Sequence, residues 1–284
     1  MTKREELMYR IMGELYSSGA PIVFKGALVT RMILGEAGYD RVVRETKDLD
    51  ANWTGDRISM ETLREAIEGS VQRVDGDYEV AIKREYSEGQ SAGFLVRDRR
   101  SGENVFGIDM DVKRTGHYRK YIMGEVAFNG VTVDQIICDK ICALSGERAI
   151  RRIKDMVDIY ALSNCVSVMS GDVIDAAEGS GRTMGGFGFF LAEKAKIRHA
   201  YDALRNVRGK PDFETVYGHV SRFIKPFLRG DREAEWDPMK QHWIQAGHPR
   251  QERPSLSEKL KRLKKTAHEV NEHCGSNQEY QPPL

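Results

Sequence analysis

The chain reads as an α+β protein, with an N-terminal mixed sheet and flanking helices followed by a mostly α-helical C-terminal domain. Up to about residue 115, short alternating or apolar runs of strand type intermingle with helical runs. Beyond residue 133 the apolar residues recur almost only at helical spacing. The length of 284 residues, with 40% hydrophobic and 31% charged side chains, is that of a well-solvated globular chain able to bury a core. The formal net charge is +1, so no global field draws the chain to nucleic acid or membrane. Any polyanion must be met by a local patch.

Leu7, Ile11, Leu15 and Tyr16 predict a helix over 4–17, closed by Ser17-Ser18-Gly19-Ala20-Pro21. Residues 21–24 form a short apolar strand, and Lys25-Gly26 turns the chain into a helix over 27–35. Residues 47–53 alternate as a strand does, and Ser59 caps a helix running to 72. Three further strands, over 78–86, 93–99 and 105–112, are separated by glycine-rich turns, as in a meander. Asp75-Gly76-Asp77 is one such turn. Helices follow over 133–145, 149–163, 172–178, 189–206 and 213–228. Residues 179–188 are glycine-rich but lack the GxxxxGK[ST] pattern, and read as a flexible linker between helices. Ser255-Leu256-Ser257-Glu258 is a capping box that opens a last helix. There Leu256, Leu260, Leu263, Ala267 and Val270 share a face amid Lys259, Lys261, Arg262, Lys264 and Lys265.

Cys138, Cys142, Cys165 and Cys274 contain no CxxC pair. Cys138 and Cys142 stand one helical turn apart, which suits a buried helix face better than a zinc site. The start MTKREELMYR lacks the apolar stretch of a signal peptide, and no segment is long and apolar enough to span a membrane. The expectation is a reduced, cytoplasmic protein with no membrane partner.

The chemistry concentrates in acids on strands. Asp48-Leu49-Asp50 puts two carboxylates on one strand face, where they repel unless a cation lies between them. Mg²⁺ suits such a place, because it takes one or two carboxylates plus substrate phosphate oxygens. About one DxD is expected by chance in a chain of this length. This chain has Asp75/Asp77 and Asp109/Asp111 as well. Asp109 and Asp111 lie in a strand pattern, so they face either a cleft or plain solvent. The Lys25-Gly26-Ala27 turn adds a phosphate cradle, since glycine lets backbone N–H groups approach an anion at a helix N-terminus. Anion cradle, DxD and a further strand acid together are the parts that phosphoryl transfer needs.

Phe24-Lys25-Gly26-Ala27 followed by Arg44-Glu45-Thr46-Lys47-Asp48-Leu49-Asp50 resembles the AbiEii/AbiGii-type nucleotidyltransferases, the toxin half of type IV toxin–antitoxin pairs. They belong to the DNA polymerase β-like nucleotidyltransferase superfamily, whose members here typically show a KGGTAL turn and then R-x-[ST]-x-D-[LI]-D. Asp111-Val112 closing a strand is similar to the family's third carboxylate. Asp139-Lys140 with Arg148, then Lys154-Asp155 and Asp158, are similar to its helical motifs, as are Pro226-Phe227-Leu228, Trp236 and Trp243. The resemblance covers residues 20–245. It departs at Ala27, where a second glycine is usual, and in a Lys140-to-Arg148 spacing one residue longer.

The resemblance implies a nucleotidyltransferase-type sheet domain over 1–125, a helical domain over 126–272 and a tail over 273–284. It implies Asp48, Asp50 and Asp111 as ligands of Mg²⁺ (or Mn²⁺) and as catalytic acids. Asp155 and Asp158 would add a base or a positioning role. Lys25, Gly26, Ala27, Lys140 and Arg148 would hold the NTP. An RNA or tRNA acceptor and an antitoxin are the implied partners. For Lys140 the residues alone suggest an ordinary helix-surface lysine, and for Asp155 and Asp158 pairing with Arg151, Arg152 or Lys154. The basic last helix is either an acceptor contact or a solvated face. Two other functions fit the DxD: a glycosyltransferase using Mn²⁺ and a nucleotide-sugar, and an inactive nucleotide-binding module, which Ala27 favours.

Overall fold

The computed structural model describes residues 1–56, 58–87, 91–112 and 116–245. The capping box at Ser255, the basic helix after it and Cys274 lie outside the described residues.

Helix α1 (Lys3–Ser17) opens on a capping box. Thr2 Oγ1 accepts from the Glu5 amide at 3.2 Å, and the Glu5 carboxylate accepts from the Thr2 amide at 2.9 Å. Its buried stripe of Leu7, Met8, Ile11, Met12 and Leu15 lies against the sheet. Strand β1 (Ile22–Lys25) runs into α2 (Gly26–Glu36), and a short β2 (Val43–Arg44) precedes β3 (Asp48–Trp53). Helix α3 (Met60–Val74) begins where Ser59 Oγ accepts from the Thr62 amide at 3.0 Å, as the cap residue predicts. The meander β4 (Tyr78–Ser87), β5 (Ser91–Asp98) and β6 (Asn104–Val112) follows. The Asp75 carboxylate accepts from the Asp77 amide at 2.9 Å, which fixes the turn before β4.

Strands β7 (Tyr118–Met123) and β8 (Val126–Val131) complete a seven-stranded mixed sheet in the order β4-β5-β6-β3-β1-β8-β7. The pairs β3–β6 and β1–β8 are parallel, and the others antiparallel. One face buries Leu49, Ala51 and Trp53 beside Ile108, Met110 and Val112, under α1 and α3. By strand alternation the other face carries Asp48, Asp50 and Asn52 on β3 and Gly107, Asp109 and Asp111 on β6.

Helices α4 (Val133–Ser145), α5 (Ile153–Ser163), α6 (Ser170–Gly179), α7 (Gly188–Ala192), α8 (Lys194–Ala203), α9 (Phe213–Phe223) and α10 (Lys225–Arg229) make up most of the remainder. They alternate with short strands β9 (Val168–Met169), β10 (Val207–Arg208), β11 (Ala234–Asp237) and β12 (His242–Gln245). Strand β10 pairs with β2, and β9, β11 and β12 form a small sheet of their own. The helix expected over 213–228 breaks at Ile224, because Pro226 has no amide to continue the ladder. The helix expected over 189–206 is two helices joined at Glu193, and the first turn of 149–163 is a 3-10 turn, Ala149–Arg152.

The glycine-rich stretch over 179–188 is not a free linker. The Gly185 amide donates to Ser145 Oγ at 2.8 Å, and a Cβ on Gly185 would come within 2.6 Å of the Ser145 carbonyl oxygen. Phe187, held at a positive φ of 57°, is fully buried. These contacts lay the stretch along α4. No helix among the described residues is long and apolar enough to cross a membrane.

Candidate active site

The site begins at the junction of β1 and α2. Gly26 has a φ of +71°, a conformation L side chains rarely adopt, and a Cβ there would overlap Asp50 Oδ2. Residue 26 is therefore glycine for two independent reasons, and the first turn of α2 abuts the Asp50 carboxylate. Lys25 lies opposite Asp50 across the β1–β3 pair. Its backbone is extended and its side chain makes no cap bond. The ammonium instead reaches across to Asp111 Oδ2 at 2.6 Å.

Register then sets the acids. In the parallel β3–β6 pair, Asp50 stands directly opposite Asp109, and Asn52 opposite Asp111. Burial pushes the Asp50 carboxyl up to about 6 against the pull of Lys25, and the nearby Asp109 charge adds to the rise. Asp109 accepts from Arg84 Nη2 at 3.3 Å. Asp48 shares the face but leans over Gly107, where its Oδ1 lies 2.7 Å from the place a Cβ would take.

The opposite wall comes from α4 and α5. Lys140 is 4% exposed, and its ammonium donates to Asp158 Oδ2 at 2.6 Å and lies 3.5 Å from Asp155 Oδ1. Arg44 grips Asp158 with its fork, Nε to Oδ1 at 3.1 Å and Nη2 to Oδ2 at 2.9 Å. Burial opposes the Asp158 charge, but Lys140 and Arg44 outweigh it and hold the carboxyl well below the usual range. Burial likewise works against the Lys140 charge, and Asp158 and Asp155 overcome it, so its ammonium stays charged above the usual lysine range. Asp155 is 8% exposed, and its buried Oδ2 has no hydrogen-bond partner among the described residues.

Between the walls lies a cleft of about 400 Å³. Asp50, Asp109, Asp111, Asp139 and Asp155 line it with Lys25, Arg44, Lys140, Arg152, Lys154 and Arg182. Gly26 and Ala27 form one end of the lining, and Ile136 and Ala143 are apolar parts of the helical wall. Arg182 comes from the glycine-rich stretch and meets Asp139 at 2.9 Å.

Of the expected site residues, Lys25, Gly26, Ala27, Asp50, Asp111, Lys140 and Asp155 line one cleft. Asp48 is on the right strand face but outside that lining. Asp158 lines a separate cavity of about 200 Å³ on the far side of Arg44, and both its oxygens are taken by cations. Arg148 lines an adjoining depression instead. Asp109, Arg44, Asp139, Arg152, Lys154 and Arg182 are cleft residues to which sequence reasoning gave no role. Asp109 had a visible signal in its DxD, and Arg44 in its place four residues before Asp48. Arg182 had none, because its loop reads as a linker.

The donor set suits a hard divalent cation: carboxylate oxygens on facing positions of adjacent strands, with the Asp109 charge adding to the cost of ionising Asp50. Among the described residues no three His, Cys, Asp or Glu side chains are gathered into a ready-made cage.

The amino-acid sequence matches the nucleotidyl transferase AbiEii toxin family of type IV toxin–antitoxin systems over residues 10–262. No curated protein matches the chain. Among solved structures it is similar to MenT4, a nucleotidyltransferase toxin from Mycobacterium tuberculosis. There the identity is 15%, the coverage is 69% of this chain and 61% of that one, and the TM-score is 0.37. This chain thus spans about three fifths of the length of MenT4. It is similar also to an antigenic nucleotidyltransferase-like protein from Paracoccidioides brasiliensis, at 12% identity over 76% and 97% of the two chains with a TM-score of 0.39. With nearly its whole described length inside the matched span, the chain belongs to the AbiEii nucleotidyltransferase toxin family.

Proposed function

We propose that this protein transfers a nucleoside monophosphate from an NTP to a hydroxyl acceptor, RNA or tRNA, as the toxin of a type IV pair whose partner is an antitoxin. The observation that carries the reading is the contact between residue 26 and Asp50. The phosphate cradle and the carboxylate cluster are one structure, so phosphates held at the start of α2 lie beside the acids.

In this reading the amides of Gly26 and Ala27 and the Lys25 ammonium hold the phosphates. Lys140 adds positive potential from the helical wall. Asp50, Asp109 and Asp111 hold the divalent ion. Asp48 is assigned the same role only through its shared strand face. Mg²⁺ or Mn²⁺ would neutralise phosphate charge and polarise the reacting phosphoryl oxygen. The acceptor oxygen forms a bond to the α-phosphorus, and the bond from that phosphorus to the bridging oxygen breaks. Pyrophosphate leaves with the electron pair. Asp111 takes the acceptor's proton once Lys25 has turned from it to the phosphates, and Asp155 orients the acceptor.

The test is incubation of the full chain with radiolabelled NTPs, Mg²⁺ and total RNA. Label transfer by the wild type and none by Asp50→Ala is the expected result. No transfer by the wild type, or equal transfer by the variant, overturns it. Stabilisation by NTP without turnover would instead favour the nucleotide-binding module. Stabilisation by UDP-sugars but not NTPs would favour the glycosyltransferase.

A further inference from the structure

The cleft continues past its cationic wall. Ala143 and Arg152 also line a second, open depression of about 590 Å³, completed by Gly146, Glu147, Arg148 and Arg151. Arg148, Arg151 and Arg152 are all exposed, and their side chains make no ion pair with a described residue. Some other surface arginines stand against carboxylates, Arg100 with Asp77 at 2.8 Å and Arg232 with Glu178 at 3.0 Å, but among the described residues no other run of exposed arginines shares one depression with the cleft. The backbone sharpens the contrast. Arg148 caps the 3-10 turn Ala149–Arg152, and side chains three apart in such a turn eclipse one another. Arg148 and Arg151 therefore project from one edge, anchored by the fully buried Ala149 between them. Among the described residues Glu147 is the single acid in the lining.

Unpaired like charges held in a row repel, and a polyanion relieves that repulsion. The guanidinium fork matches phosphate oxygens in pairs. Among the described residues its lining is arginine, glycine, alanine and one glutamate, a set that suits a sugar–phosphate backbone rather than a nucleobase. We propose that Arg148, Arg151 and Arg152 form the track along which a single-stranded nucleic-acid acceptor docks its phosphates, with its hydroxyl-bearing end delivered past Arg152 into the cleft. The proposal rests on the nucleotidyl-transfer reading above, and it assigns Arg148 to the acceptor rather than to the NTP.

The test is fluorescence anisotropy of the full chain with a labelled single-stranded RNA, without NTP or metal, across a salt series. Arg148→Ser/Arg151→Ser is compared with wild type, and NTP-induced thermal shift is read on both. The variant should bind RNA roughly tenfold more weakly at low salt, with a salt slope shallower by about 1.4, since each phosphate contact on a single strand contributes about 0.7. Its thermal shift with NTP should match the wild type. Equal RNA affinity and slope in variant and wild type overturn the track. Joint loss of RNA binding and NTP shift places the arginines in the nucleotide site and also overturns it. So does a wild type that ignores RNA but binds poly-glutamate through these arginines, since the partner is then an acidic protein. RNA bound through the arginines with no label transferred leaves the track standing and sinks the enzymatic reading alone.

Discussion

Replacing Asp158 by Asn should unfold the protein more easily rather than disable an otherwise intact catalyst. Asp158 accepts two hydrogen bonds from Arg44 and one from Lys140, all below 3.2 Å and out of solvent. The variant leaves two buried cations facing a neutral amide. Removing one partner of a buried charge pair costs about 3–5 kcal/mol. For a unit of this size each kcal/mol moves the midpoint by about 2–4 °C, so the melt should fall by roughly 6–20 °C. The pH dependence has a fixed sign. The folded carboxyl titrates below the free one, so its contribution is complete above the unfolded pKa of about 3.9 and drains away as pH falls below it. The folded Lys140 titrates above its free value, so its share is complete below about 10.4 and is lost only at higher pH. Thermal melts by circular dichroism should therefore show a constant gap between wild type and variant from about pH 5 to 9, closing in acid. A variant melting within roughly 2 °C of wild type in that window would refute the structural role, since even 1 kcal/mol should register. Asp155→Asn is the contrast: Lys140 keeps its closer partner Asp158, so the melt should fall by less than in Asp158→Asn while transfer is lost.

Gly26→Ala should abolish NTP-induced thermal stabilisation and cost at least the roughly 1–2 kcal/mol of a left-handed non-glycine residue, both read by scanning fluorimetry. Ala27→Gly should tighten NTP binding by calorimetry while lowering stability by about 0.5–1 kcal/mol; an unchanged affinity would show that the methyl group does not crowd the phosphates. Gly185→Ala should destabilise by about 1–3 kcal/mol through overlap with the Ser145 carbonyl, and should weaken NTP binding by displacing Arg182. His219 is buried against Ser163 Oγ at 2.7 Å, and burial lowers its pKa to about 4. Its ring should titrate near there by NMR, and stability should be lost as pH falls from about 6.5 toward that value.

The strand-and-cleft half was legible wherever period and special residues coincide. Lys25-Gly26, the alternation of 47–53 and the meander through Val112 all appear as read, because burial of one sheet face imposes that pattern. Strands β7 and β8 escaped notice. Tyr118, Arg119 and Lys120 on the edge strand are exposed, so no apolar alternation marks it. Strands β9 to β12 span two to four residues each, too few for a period to register. Lys140 shows what spacing cannot reveal. A lysine within a helix reads as solvated, and its burial depends on Asp158 one helix later and Arg44 nearly a hundred residues earlier. Arg182 was hidden for a similar reason, since its position follows from the contact of Gly185 with α4.

The side-by-side register of β3 and β6 ties two fates together. Ile108 and Met110 alternate with Asp109 and Asp111. Sliding β6 by a single residue would drive both acids into the hydrocarbon beneath α1 and α3 and expose the two large apolar side chains in their stead. No half-assembled version of this chain can therefore be well folded and merely slow. A molecule with β6 out of register would lack the paired acids on the cleft face, so the carboxylate cluster and the core beneath it can only form together.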